Sequence, residues 1–261
     1  MRLTRFQWIL GGTVLAASLI VACCRGTTCL LLLSLLFSLA GLGIGLGVSF
    51  PQWQMFGPSR CRVRTREKVV ALTFDDGPDP ETTPALLTLL AQRGVRATFF
   101  CVGDRVARHP EIARRIACEG HRVENHSHRH SPWTNLFSVG RLREDVSRAQ
   151  AEMERVTGRA PRFFRPPMGL TNQRVFRVAK ELGLEVAGYS ARGLDQRTTS
   201  AERVLARLLG RVRPGAIVLL HDGGVPPARL LAVVTMLIDN LEAEGYQCRR
   251  LDELISGEAP R

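Results

Sequence analysis

Aromatic residues are scarce. Phe, Trp and Tyr make up 6% of 261 residues, with three tryptophans and two tyrosines. A long groove that stacks successive sugar rings is therefore not evident. The seven cysteines are odd in number, scattered and without a Cys-x-x-Cys pair, which excludes a small disulfide scaffold. Acidic residues are absent from positions 1–50, which carry only Arg2, Arg5 and Arg25. A concentrated basic face is lacking too. Much of the net charge of +12 sits before residue 69, and the remainder is spread thinly over the rest of the chain. That distribution argues against a nucleic-acid partner. Apolar residues at 45% exclude wholesale disorder.

Two long uncharged runs are present, at 6–24 and 29–50, separated by a short link around Arg25. A helix needs about 20 apolar residues to cross a bilayer core, and both runs qualify. They predict a membrane segment over 1–50 made of two transmembrane helices. Gly41, Gly43, Gly45 and Gly47 could let the helices approach closely. Residues 51–66 read as a basic linker, with Arg60, Arg62, Arg64 and Arg66. Basic flanks prefer the cytoplasm, so charge places the following domain on that face of a bacterial-type inner membrane. The alternative is a processed leader. Residues 20–23, Ile-Val-Ala-Cys, resemble a lipoprotein cleavage box, which leaves the second run as sole anchor and an extracytoplasmic domain.

From residue 67 to 256 the pattern alternates. Short β-branched or apolar runs at 69–74, 96–101, 121–125, 163–164, 184–190, 215–220 and 246–249 read as strands. Helical patterns separate them, with a start at Thr83-Pro84, others over 110–119, 138–157, 172–182 and 227–244, and one running to Val212. The expectation is an α/β fold: a distorted (β/α) barrel of about seven parallel strands. Residues 257–261 form a short tail.

Chemistry-bearing residues follow the strands, where barrels of this kind place their sites. Asp75 and Asp76 follow the first strand. His126 to His130, Arg165, Asp195 and His221-Asp222 follow later ones. Alone, Asp-Asp-Gly-Pro is an ordinary turn. His126 and His130, four apart, would share one face of a helical turn. Two imidazoles and one carboxylate suit a facial metal site with room for water. His109, His121 and His128 read as wall or solvent residues, and Glu124 as strand-end filler. A two-metal phosphoesterase is another possibility for a carboxylate-rich site, but it needs more ligands than are apparent.

Thr73-Phe74-Asp75-Asp76-Gly77-Pro78, His126-Ser127-His128-Arg129-His130, Arg165-Pro166-Pro167-Met168-Gly169 and Leu219-Leu220-His221-Asp222 occur in this order. They resemble the motifs of the polysaccharide deacetylases, the NodB-homology group or carbohydrate esterase family 4. The resemblance implies a metal-dependent hydrolase of the N-acyl (acetyl or formyl) amide of an amino sugar, which the two apolar runs would anchor in the membrane. Its substrate would be a glycan or a lipid-linked saccharide, and membrane lipid would be its other partner. The alternative is an inactive, membrane-bound glycan-binding or scaffold protein on the same fold.

By resemblance Asp76, His126 and His130 hold a divalent cation, zinc foremost, with Co2+, Ni2+ or Mn2+ as substitutes. Asp75 is the general base, His221 the general acid, Arg165 the partner of Asp75, and Asp195 the partner of His221. Met168, through its N–H, and Pro167 border the oxyanion and substrate, and Ser127 steadies the metal loop. One stretch departs from the family pattern. Where Asp-x-x-Asp-Trp is common, Arg192 and Gln196 replace the first Asp and the Trp, leaving Asp195. Arg159, Arg162, Arg174 and Arg177 flank the third motif and are candidates to meet phosphates.

Overall fold

A computed structural model describes residues 3–257; Arg2 and residues 258–261 of the expected tail lie outside them. Two helices come first, α1 (Arg5–Cys23) and α2 (Gly26–Ser49). At 1.5 Å per residue they are about 28 and 36 Å long. Their apolar side chains face outward, with Leu30 and Leu31 among the most exposed. Such a surface needs an apolar cover, as a lipid-facing hairpin does. The expectation that these glycines let the two helices approach closely is not met. An added Cβ at Gly41, Gly43 or Gly45 meets open space, whereas Gly47 packs against Met55 rather than against α1.

The remainder forms one all-parallel sheet. Its strands are β1 (Ser59–Arg60), β2 (Val69–Asp75), β3 (Thr98–Cys101), β4 (Arg122–Asn125), β5 (Phe163–Phe164), β6 (Glu185–Ala187), β7 (Ala191–Arg192), β8 (Ala216–His221) and β9 (Gln247–Arg249). The order is β1-β6-β5-β4-β3-β2-β8-β7, with β9 pairing the first half of β2. The expected strand over 184–190 is two strands. After β6 the chain bends through Gly188–Ser190 and β7 pairs with β8, on the far side of the sheet from β5. These eight residues draw the sheet ends together into a distorted barrel. Splitting that strand, together with β1, raises the expected seven strands to nine.

Period-two alternation divides β2. Val70, Leu72 and Phe74 pack outward against helices, while Val69 and Ala71 join Phe100, Phe163, Ala187 and Ile217 inside. Each fully buried large side chain contributes roughly 2 kcal/mol. Leu251, Leu254 and Ile255 of the last helix, α10 (Leu251–Ser256), belong to the same inner cluster, beside the start of β2 and so opposite the end that carries Asp75.

The outer helices are α3 (Thr82–Gln92), α4 (Gly103–Arg108), α5 (Pro110–Cys118), α6 (Val139–Thr157), α7 (Gln173–Glu181), α8 (Ala201–Leu209) and α9 (Pro227–Ala243). Several ends follow sequence signals. Ser138, Asn172 and Ser200 accept N-cap bonds, and Gly158 stops α6 at φ 70°. Other expectations need correction. Thr83 does not cap α3; Asp79 accepts from the N–H of Glu81 and of Thr82, and Thr83 lies inside the helix. The helix expected to reach Val212 ends at Leu209, and α4 had no sequence counterpart.

Residues 51–66 are not a loose linker. Met55, Phe56, Cys61 and Val63 are buried, β1 pairs with β6, and Arg62 bridges to Ala216. The hairpin is tied to this region. The N–H of Phe6 donates to Met55 C=O at 3.0 Å, and that of Thr171 donates to Val48 C=O at 3.0 Å.

Candidate active site

Strand register sets the site. Asp75 pairs with both Phe100 and His221, Cys101 with Asn125, and Asn125 with Phe164. The residues just beyond these ends, Asp76, His126 and Arg165, therefore emerge at one level. A narrow cleft of about 70 Å3 opens there, lined by Asp75, Asp76, His126, His130, Arg165, Met168 and His221 among others. That is room for about two waters. A larger depression of about 820 Å3 along residues 62–67 carries no histidine among the described residues.

Asp76 Oδ1 lies 3.4 Å from His126 Nε2 and 3.1 Å from His130 Nε2. One donor atom from each of the three residues falls within 4.8 Å of the others. Asp76 Oδ1 is buried and has no hydrogen-bond partner among the described residues. His126 Nδ1–H donates to Arg165 C=O at 2.6 Å, which leaves Nε2 free to face Asp76. An orphaned carboxylate oxygen between two imidazole nitrogens fits a divalent cation.

The loop that presents the imidazoles is not the helical turn expected from the four-residue spacing. Ser127 (φ 67°) and His130 (φ 47°) are left-handed. The loop is fixed by side chains: Asn125 Oδ1 accepts from Ser127 N–H at 2.8 Å, and Ser127 Oγ from His130 N–H at 3.0 Å. Asp145 holds His128 N–H, and the first N–H groups of α4 bond to Ser127 C=O and His128 C=O. Asp76 (φ 74°) and Met168 (φ 60°) are left-handed as well. Four of six such non-glycine residues among those described thus border the site, where backbone strain is commonly concentrated.

Charges are balanced in pairs. Arg165 is buried, with its NH1 donating to Asp75 Oδ1 at 2.6 Å and to Thr73 Oγ1 at 2.9 Å, and its NH2 to Gly188 C=O at 2.9 Å. Its guanidinium lies 3.9 Å from the Phe100 ring centroid. Asp195 Oδ1 accepts from His221 Nδ1–H at 2.9 Å, and Oδ2 from His221 N–H at 2.8 Å. Burial opposes charge on His221, but Asp195, with Asp75 and Asp76 behind it, carries the imidazole above its ordinary pKa. Burial also opposes charge on Asp76, yet His126 and His130 hold its carboxyl well below the usual carboxylate range. Burial, then repulsion from His126, lowers His130 to about 4.

Several residues stand differently from expectation. Pro167 is buried in the turn before Met168 and does not line the cleft. Glu124 is no filler. Fully buried, it accepts from the N–H of Arg162 and of Phe163 at 2.7 Å each and pairs with Arg122 at 2.9 Å, and its burial pushes its carboxyl up to about 7. His121 is buried and accepts from Ala97 N–H, and His128 is buried rather than solvated. The expected phosphate arginines lie elsewhere: Arg162 pairs with Glu185, Arg177 with Glu181, Arg159 lies 4.0 Å from Asp252, and Arg174 bonds to Asn135. Arg192 and Arg197 line the cleft instead.

Two residues noted in the sequence hold roles that were not foreseen there. Gln196 donates to Asp76 Oδ2 at 2.7 Å. Asp222, fully buried, accepts from Thr83 Oγ at 2.6 Å, and burial raises its carboxyl to about 7. Their only sequence signal is position, just past a strand end like the other site residues.

Comparison with known proteins follows the same residues. A family model described as polysaccharide deacetylase matches residues 62–187. A peptidoglycan-N-acetylglucosamine deacetylase of Bacillus cereus is 35% identical over 195 residues, covering 74% of this chain and 91% of that protein. A chitooligosaccharide deacetylase of Bradyrhizobium is 35% identical over 198 residues, covering 71% and 90%. Among solved structures, a carbohydrate esterase family 4 pseudoenzyme from Bacillus anthracis superposes with a TM-score of 0.71 at 26% identity, covering 77% of this chain and 69% of its own.

Proposed function

Because this chain belongs to the polysaccharide deacetylase family, we propose that it is a membrane-anchored, metal-dependent hydrolase of the N-acyl amide of an amino sugar, in a glycan or a lipid-linked saccharide. The single observation that carries the metal-dependent reading is the unpartnered Asp76 oxygen between the two imidazoles. A pseudoenzyme shares this fold, so the fold alone does not decide activity. The complete set of Asp75, Asp76, His126, His130, Arg165, Asp195 and His221 supports an active enzyme.

Asp76, His126 and His130 would hold the divalent ion, zinc foremost. When bound, it supplies a Lewis acid that acidifies water and polarises the acyl carbonyl. Asp75, held by Arg165, takes the proton from the attacking water. The water oxygen bonds to the acyl carbon, and Met168 N–H donates to the oxyanion that develops. His221, kept protonated by Asp195, gives its proton to the nitrogen as the C–N bond breaks. The products are a free amine on the sugar and a small carboxylate.

The exposed apolar hairpin supports anchoring, and the basic residues beside it support a cytoplasmic face. A reporter fused after Arg261 reads cytoplasmic on this account; periplasmic activity contradicts it. The enzymatic test is acetate and formate release from chitin oligomers, peptidoglycan fragments and lipid-linked amino sugars, with and without zinc. Zinc-dependent release that is lost in Asp75→Asn is expected. Tight metal binding without release from any substrate favours the scaffold alternative.

A further inference from the structure

A second hollow of about 250 Å3 opens beside the cleft, lined by Ser49, Phe50, Tyr189, Arg192, Arg207 and Arg211 together with Gln52 and Leu194. Tyr189 and Arg192 line both spaces, so the two are adjacent. No acidic residue among the described residues lines the hollow. None of its three arginines has a carboxylate partner among the described residues. Arg207 donates to the Thr198 hydroxyl. Arg192 donates to Tyr189 OH at 3.4 Å, and its Nε is buried without a partner. Elsewhere many arginines are paired with acids, as Arg60, Arg143 and Arg162 are. Three uncompensated guanidiniums around one hollow suit a phosphate.

The opposite wall is the foot of the hairpin. Ser49 ends α2, and Phe50 stacks on Trp53 with ring centroids 6.0 Å apart. Both rings are more than a third exposed, and Arg5 donates to Trp53 C=O at 3.0 Å. Aromatic and basic side chains at the end of an apolar helix mark the headgroup level of a bilayer. The arginine hollow thus lies at that level and adjoins the catalytic cleft.

We propose that this hollow is a phosphate subsite, and that the substrate is an N-acylated amino sugar joined through a phosphate or diphosphate to a long-chain lipid of the same membrane. The proposal rests on the deacetylase and anchoring readings above. The lipid chain lies along the hairpin, the phosphate meets Arg192, Arg207 and Arg211, and the N-acyl group enters the cleft. A soluble sugar nucleotide offers the same phosphate but makes no use of the hairpin.

The test uses the zinc-loaded full chain in neutral-lipid nanodiscs. Acetate release is measured from undecaprenyl diphosphate N-acetylglucosamine, UDP-N-acetylglucosamine and diacetylchitobiose. The lipid-linked probe is expected to exceed both others in kcat/KM by at least about tenfold. The Arg207→Gln/Arg211→Gln double variant narrows that preference by about tenfold, and the corresponding Lys pair restores most of it. Equal use of chitobiose, or preference for the sugar nucleotide, overturns the proposal. Absence of release from every probe overturns the deacetylase reading instead. The subsite is then judged by undecaprenyl phosphate binding to the same nanodiscs. There the double Gln variant must raise Kd about tenfold, and an unchanged Kd overturns the proposal.

Discussion

Arg165 and Asp75 form a buried pair 2.6 Å apart, and the arginine is further committed to Thr73 and to Gly188 C=O. A lysine can replace the charge but not the fork that reaches all three acceptors. Arg165→Lys is therefore expected to fold and to lose about 100-fold in kcat with a smaller change in KM, since it loosens the base rather than substrate binding. Arg165→Met leaves Asp75 buried and unpaired, and costs about 3–5 kcal/mol in urea unfolding. Equal kinetics for Arg165→Lys and wild type would show that Asp75 needs no such positioning.

The Asp195–His221 pair sets a pH limit. Asp195 raises the imidazole pKa, so His221 keeps its proton to higher pH than a free histidine. Removing the carboxylate charge lowers that pKa. Asp195→Asn should move the alkaline limb of the kcat/KM profile to lower pH while the protein stays folded, because the amide oxygen still accepts a bond. An unmoved alkaline limb would take the general-acid role away from His221.

Metal loading should stabilise as well as activate. A ligand at 100 times its Kd adds about 2.7 kcal/mol to the folded state. Zinc is expected to raise the Tm of wild type, and His130→Ala or Asp76→Asn to abolish most of that rise. Elemental analysis should return one ion per chain. Two ions per chain would favour the phosphoesterase chemistry considered from the sequence.

His121 gives a stability signature away from the cleft. Burial lowers its pKa to about 4, against an ordinary value of 6.5. Between those values the unfolded chain binds the proton and the folded chain does not, so folding stability falls as pH drops from about 6.5 toward 4. The loss from this group is at most about 3 kcal/mol. His121→Asn keeps an acceptor for Ala97 N–H and should flatten that part of the curve in urea titrations at several pH values. An unchanged slope would assign the acid sensitivity to other groups.

The parallel strands and the convergence of Asp76, His126 and His130 were legible because both rest on local patterns. Apolar β-branched runs announce buried strands, and strand-end position announces the site. What escaped was long-range. Nothing local marks Ser59–Arg60 as a strand, since its pairing partner is about 125 residues away at Glu185–Ala187. The helical turn inferred from His126 and His130 failed because Asn125 and Ser127 hold the backbone in a left-handed path that spacing does not encode. Gln196 looked like a lost tryptophan, yet it bonds to Asp76. Candidate phosphate arginines were sought by sequence proximity to a motif, whereas those of the hollow lie on β7 (Arg192), on α8 (Arg207) and just after α8 (Arg211).

The Thr171 to Val48 bond joins the loop that follows Met168 and Gly169 directly to the end of the second apolar helix. With the hairpin in a bilayer, the cleft cannot swing out into bulk water on a tether. For the lipid-linked substrate proposed above, encounter then becomes a search in two dimensions. The rate should follow the mole fraction of substrate among the lipids, so that diluting the membrane with inert lipid slows the enzyme even when the total amounts of enzyme and substrate in the tube are unchanged.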